Sequence, residues 1–137
     1  MKAVLDASAL ISVVLKERGH EVLMKIIMAG SATTTPTGLA EALIVCHRNG
    51  HLQSREELSN GLLDIGLTVE PIIEEDAVEM AYLLAKSDEL PTKKVGSLSL
   101  GDAACLAVAH RLDATAVMSD DTWEILDIPG LKIMPFR

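Results

Sequence analysis

Aromatic side chains are nearly missing from this sequence, with one Trp, one Tyr and one Phe in 137 residues. At 49% hydrophobic residues and a positive mean hydropathy, disorder is nevertheless excluded, and the core has to be aliphatic. Leu, Ile, Val, Ala and Met suit a parallel sheet covered by helices on both faces. Long apolar runs are missing too, so no segment reaches the length needed to span a bilayer. Met1-Lys2-Ala3-Val4 offers no charged leader before a longer apolar stretch, and Asp6 interrupts it. A secretory leader is therefore not expected, and the cytoplasm is the expected location. Cysteine is scarce: Cys46 and Cys105 lie in separate helical patterns beside aliphatic residues, which predicts buried free thiols.

Other absences narrow the chemistry. Of His20, His47, His51 and His110, only His47 and His51 have a helical ligand spacing, and the Asn49-Gly50 helix end separates them. A zinc site is not expected. No phosphate-loop or dinucleotide glycine pattern occurs. Basic residues are outnumbered, 12 Lys and Arg against 20 Asp and Glu, for a formal net charge of −8. That balance argues against broad, sequence-independent binding of nucleic acid. The excess is uneven, because residues 1–68 are near neutral at −1 and residues 69–137 carry −7. Acids gathered around a divalent cation would partly reverse the local repulsion of a polyanion.

What is present is an alternation of short strands and helices. Ala3-Val4-Leu5 reads as a central strand ending at Asp6, and Ser8 to Lys16 as a helix with Leu10, Ile11, Val14 and Leu15 in period. A helix from Glu21 to Ala29 and a strand over Ala32-Thr33-Thr34-Thr35 follow. Thr37 is placed to cap the next helix, which ends near Asn49-Gly50. A helix from Ser54 to Ile65 precedes a strand from Leu67 to Ile73, whose Pro71 suggests a sheet edge. Glu74-Glu75-Asp76 opens a long helix, and residues 87–95 read as the one substantial loop. Ser99 starts the most hydrophobic helix, which runs to about Leu112. A strand over Thr115–Met118, a short helix from Asp121 and a strand over Leu131–Met134 complete the chain. This pattern predicts an α/β fold, a three-layer α/β/α sandwich with a mostly parallel central sheet, as a single domain over residues 1–137.

Four acids are candidates for chemistry. Asp6 lies at the carboxyl end of a strand, where open α/β sheets bind ligands. Its local alternative is to cap the next helix, a task Ser8 could also perform. Asp102 fits the third helical position of a capping box begun by Ser99, and a first-turn carboxylate can still face a cleft. Asp121 and Glu124 fit a box of their own, which leaves Asp120 free at the mouth of the preceding strand, or in a solvated turn. Glu41 falls among Thr37, Gly38, Leu39, Ala40 and Ala42, where an acid is seldom fully buried unless paired or bound to metal, though it could face solvent. Two carboxylates about 4 Å apart repel by roughly 4 kcal/mol at an effective dielectric of about 20. Gathered together, they would need a cation or would hold protons. Oxygen-only ligands match Mg²⁺ or Mn²⁺.

Taken in order, Val4-Leu5-Asp6-Ala7-Ser8-Ala9-Leu10, Pro36-Thr37-Gly38-Leu39-Ala40-Glu41, Leu98-Ser99-Leu100-Gly101-Asp102-Ala103-Ala104 and Met118-Ser119-Asp120-Asp121-Thr122-Trp123 resemble the PIN-domain family. The likeness is closest to VapC-type toxins of toxin–antitoxin pairs, and it extends over essentially the whole chain. The resemblance implies Asp6, Glu41, Asp102 and Asp120 as the catalytic and metal-binding acids, with Ser8 and Ser119 ordering them and Trp123 structural. Ser119 and Asp121 depart from the family's usual residues around the last acid, which makes Asp121 a second candidate beside Asp120. The implied activity is an Mg²⁺- or Mn²⁺-dependent endoribonuclease leaving 5′-phosphate and 3′-hydroxyl ends. The implied partners are RNA, a cognate antitoxin and a second copy in a homodimer. Lys93, Lys94, Arg48 and Arg111 are candidates for RNA backbone contacts. A catalytically silent metal-, RNA- or partner-binding scaffold is the alternative class. A phosphatase of small substrates is weighed against by the lack of a second acid two positions after Asp6.

Overall fold

The computed structural model describes residues 1–91 and 97–137. Its centre is a five-stranded, wholly parallel sheet in the order β3-β2-β1-β4-β5. The strands are β1 (Ala3–Leu5), β2 (Ala32–Thr34), β3 (Thr68–Val69), β4 (Thr115–Met118) and β5 (Lys132–Pro135). The helices are α1 (Ala7–Leu15), α2 (His20–Met28), α3 (Pro36–Arg48), α4 (Arg55–Asp64), α5 (Glu74–Asp88) and α6 (Leu100–Arg111), with a short 3-10 helix over Thr122–Leu126.

Strand alternation produces the layers. Successive residues of a strand face opposite sides of the sheet. Ala3, Leu5 and Val117 accordingly join a core with Leu10, Leu23 and Ile27 from α1 and α2. Val4, Ala116 and Met118 join the other core, with Leu83 from α5 and Leu106 and Val108 from α6. Both cores are mainly aliphatic, as the shortage of aromatics requires, with Trp123 the single aromatic of one and Phe136 of the other. In α6 every residue from Ala103 to Ala109 is buried, so this helix is apolar all round. Cys46 and Cys105 are both buried and free. No helix among the described residues is long and apolar enough to cross a membrane.

Pairing aligns the carboxyl ends of the central strands, since Leu5 stands opposite Thr34 on one side and Val117 on the other. The chain proceeds from β1 outward to β2 and β3, then crosses back to β4 and β5. The switch of direction falls between β1 and β4. A crevice outside the carboxyl ends of the strands is the expected ligand site in such a sheet.

Several local expectations shift. The edge strand covers only Thr68–Val69 instead of Leu67 to Ile73. Glu70 N–H still donates to Thr34 O at 2.8 Å, but Pro71 has no N–H and pairing stops there. The last strand runs one residue later than expected, Lys132–Pro135. Helix α5 extends to Asp88, and the described part of the expected loop begins after it. The cap of α3 is Thr35, not Thr37: Pro36 takes the first helical position, and Thr35 Oγ1 accepts the Gly38 N–H at 3.0 Å. Thr35→Ala should therefore cost about 1 kcal/mol of stability, whereas Thr37→Ala should be nearly neutral. Urea unfolding of the two variants checks the assignment.

Candidate active site

Asp6 performs the local task that Ser8 was expected to share. It is the N-cap of α1, and its Oδ1 accepts the Ala9 N–H at 2.9 Å and the Ser8 hydroxyl at 2.6 Å. Its own N–H donates to Val117 O at 3.1 Å, so Asp6 is still tied to the sheet when α1 begins. Both side-chain bonds use Oδ1. Oδ2 takes no hydrogen bond among the described residues, and the side chain lines a cavity at the carboxyl edge of the sheet. The residue is only 6% exposed. Burial pushes its pKa up to about 6, with smaller contributions from the Asp102 and Glu41 charges and opposition from the Ser8 and Ala9 bonds.

Asp102 reaches the same cavity from the first turn of α6. The expected capping box is one-sided: Ser99 Oγ accepts the Asp102 N–H at 3.0 Å, and no bond returns from the Ser99 N–H to the Asp102 carboxylate. That carboxylate is left to face the cavity. Burial raises its pKa, and the Asp120 charge adds to the rise, while contacts with Ser99 and Trp123 oppose it.

Asp120 follows β4 and is exposed at the cavity wall. Asp120 lines the cavity as expected, but the capping bond expected of Asp121 falls to it as well. Asp120 Oδ1 accepts the Thr122 N–H at 2.9 Å, which holds the turn, and the Thr122 hydroxyl together with that N–H lowers the Asp120 pKa. Asp121 caps the 3-10 helix by position only, without a side-chain bond, and is not part of the cavity lining. Glu41 lies on α3 with an exposed side chain and completes the lining acids.

Asp6, Glu41, Asp102 and Asp120 thus line one cavity of about 320 Å³, together with Ser8, Ser119 and Trp123. Ile11, Met118 and Thr122 also line it, and none of these was legible as a site residue. Trp123 belongs to the lining as well as to the buried core. Among the described residues, no His, Cys, Lys or Arg lines the cavity. The acids share the cavity without closing on one point. Among the described residues, no group of three or more His, Cys, Asp or Glu side chains is set to hold a metal ion directly. The donor set itself fits a hard dication: it is oxygen-only, centred on a buried carboxylate, and Mg²⁺ or Mn²⁺ retains several waters rather than needing an all-protein cage.

The basic candidates lie elsewhere. Lys93 and Lys94 fall outside the described residues. Arg48 ends α3, about 10 Å along the helix from Glu41. Arg111 ends α6, and its guanidinium is committed to Asp76 at 2.8 Å, Glu70 at 3.4 Å and Pro71 O at 3.1 Å. It ties α6 to α5 and to the chain after β3, which commits it to the fold rather than to an RNA contact.

The Asp6 shift has a signed consequence. Its folded pKa of about 6 exceeds the ordinary value of 3.8, so the folded state holds the proton more tightly. Stability falls as pH rises through that window, by roughly 3 kcal/mol in all, and stays lower above it. Asp6→Asn keeps an acceptor for Ala9 and removes the buried charge. The cation-free variant should melt higher than the wild type at pH 8, with the gap closing toward pH 4. Melting curves across that range, with EDTA present, check the sign.

Residues 3–128 match the PIN domain family. No curated protein matches the sequence. The fold is similar to a toxin–antitoxin complex from Klebsiella pneumoniae, with TM-score 0.70 and 16% identity over 99% of this chain and 98% of that one. It is also similar to VapC20 from Mycobacterium tuberculosis, a sarcin–ricin loop cleaving toxin, with TM-score 0.71 and 15% identity over 96% and 99% of the two chains. A third likeness is to DNA-bound VapBC from Salmonella typhimurium, with TM-score 0.72 and 14% identity over 100% and 99%. At these identities the likenesses concern the fold, and the family follows from the match along the sequence. With nearly its whole length matched and its acids gathered at the carboxyl edge of a parallel sheet, the chain belongs to the PIN domain family.

Proposed function

We propose that the protein is an endoribonuclease dependent on Mg²⁺ or Mn²⁺, and the toxin of a toxin–antitoxin pair. The observation that carries this reading is the convergence of Asp6, Glu41, Asp102 and Asp120, from four separate parts of the chain, on one cavity that no histidine or cysteine lines. Family membership supports it, as does the likeness in fold to a sarcin–ricin loop cleaving toxin and to toxin–antitoxin complexes. The four acids would hold the cation, with Ser8 fixing the Asp6 carboxylate and the Thr122 N–H fixing that of Asp120. When bound, the cation supplies charge neutralisation at the phosphate and lowers the pKa of water. Water attacks the scissile phosphorus in line, the 3′-oxygen leaves and takes a proton, and the products carry 5′-phosphate and 3′-hydroxyl ends. No histidine is needed as base.

The acidic lining also makes the charge balance intelligible. Without a cation, four carboxylates repel a phosphate. With one, the same carboxylates fix where the phosphate can approach. A cognate antitoxin would restrain the enzyme, and a homodimer is the proposed assembly. That no three acids among the described residues are already set to hold a metal ion directly favours as second reading a silent scaffold that binds a partner without cutting.

Purified, antitoxin-free protein should cut total cellular RNA at discrete places in Mn²⁺. Cutting should stop with EDTA and fall at least about a hundredfold in Asp6→Asn and Asp102→Asn, the scale of removing a group that stabilises charge in the transition state. Mapped fragments should carry 5′-phosphates. Intact RNA after incubation with folded, Mn²⁺-loaded wild type would favour the scaffold, and cutting that survives both substitutions would remove the acids from the mechanism.

A further inference from the structure

Gly101 occupies the second position of α6, directly before Asp102. Nothing in its backbone requires glycine. Its φ is outside the left-handed region, which holds Gly19, Gly30, Gly50, Gly66 and Gly130 instead. Glycine is also a poor helix residue, so alanine would serve the helix better. What occupies the space is Glu41. A Cβ built on Gly101 would stand 3.1 Å from Glu41 Oε2, inside ordinary van der Waals contact, and 3.9 Å from Ser99 Oγ. Helical Cβ atoms tilt toward the N-terminus. A side chain here would therefore extend over the first turn, where the Glu41 carboxylate lies.

We propose that Gly101 is a positioning residue for Glu41, its missing side chain leaving a bare first turn of α6 on which the Glu41 carboxylate is held in the cavity shared with Asp102. This rests on the reading of that cavity as a cation site. Two effects act together at the bare turn. The first N–H groups of a helix have no partner within it, and its N-terminal end carries partial positive charge. The Asp102 N–H is already taken by Ser99 Oγ, so the Leu100 and Gly101 N–H groups and the partial charge of the end draw in a carboxylate that the Asp6 and Asp102 charges would otherwise repel. Glu41 is exposed on α3 and has no hydrogen bond of its own among the described residues, so open space and the helix end are what locate it.

The test is a cycle of variants read by Mn²⁺ affinity, taken from the electron paramagnetic resonance signal of free Mn²⁺, with melting temperature measured alongside. G101L should weaken Mn²⁺ binding about tenfold, the lower end of the range for outer contacts of a metal site, and G101A by a smaller factor. G101A should melt at or above the wild-type temperature, which a purely structural glycine would not allow together with lost affinity. In an E41A background, both substitutions at Gly101 should change Mn²⁺ affinity less than about twofold. Undiminished binding by both variants, or an equal loss with and without Glu41, overturns the positioning role while leaving the cation site standing. Absence of Mn²⁺ binding by folded wild type overturns the cation reading, and this inference with it. If G101L loses its fold, the G101A arm decides.

Discussion

The rest of the site depends on one buried carboxylate. Asp6 is 6% exposed at the end of the central strand, and its two oxygens divide their work. Oδ1 takes the Ala9 N–H and the Ser8 hydroxyl, which starts α1, while Oδ2, beside the cavity, takes no hydrogen bond among the described residues. A cap and a candidate ligand are thus the same group. The arrangement costs stability because a charge is buried near others, and the raised pKa of Asp6 measures that cost.

Sheet topology offsets part of the repulsion. In a parallel sheet, helices that follow strands begin at the carboxyl edge. Helix α1 begins at Ala7 directly after β1, and α3 begins at Pro36 directly after β2. Ala7 and Ser8 of the first turn of α1 and Asp102 of the first turn of α6 line the cavity, so two helix N-termini face it. Partial positive charge at these two ends opposes the mutual repulsion of the acids. The same edge that gathers the carboxylates supplies the dipoles that tolerate them.

Charge is handled differently on the far end of α6. Arg111 bridges Asp76, Glu70 and Pro71 O, and His110 lies 2.7 Å from Glu79 and 3.1 Å from Pro129 O. Asp76 is almost fully buried and would be an uncompensated charge without Arg111. These pairs bind α5 to α6 and to the chain after β3. Acids at one end of α6 are left open, and Asp76 and Glu70 at the other are neutralised by Arg111, which separates the candidate site from the structural end.

Much of this was legible along the chain. Short apolar strands alternating with amphipathic helices set the α/β class, and the scarcity of aromatics set an aliphatic core, because period and composition are local properties. Asp6, Glu41 and Asp120 were legible from their places along the chain, whereas Asp102, which fits a capping box, stood out only beside the other acids and through the resemblance of its segment to the PIN-domain family. Which neighbour takes which hydrogen bond was not. Thr35 rather than Thr37 caps α3, Asp120 rather than Asp121 holds the turn before the 3-10 helix, and Ser99 and Asp102 form half a box. Such choices turn on differences of about 1 kcal/mol between adjacent donors and acceptors, settled by how the chain enters the element. Arg111 read as a free cation because its partners, Glu70 and Asp76, lie 41 and 35 residues away. By itself the sequence determined the layers, the end of the first strand at Asp6 and which acids were candidates. Only the tertiary structure decided that Glu41 lies over Gly101 and that the four acids share one cavity, because those distances depend on how α3 and α6 pack across the sheet.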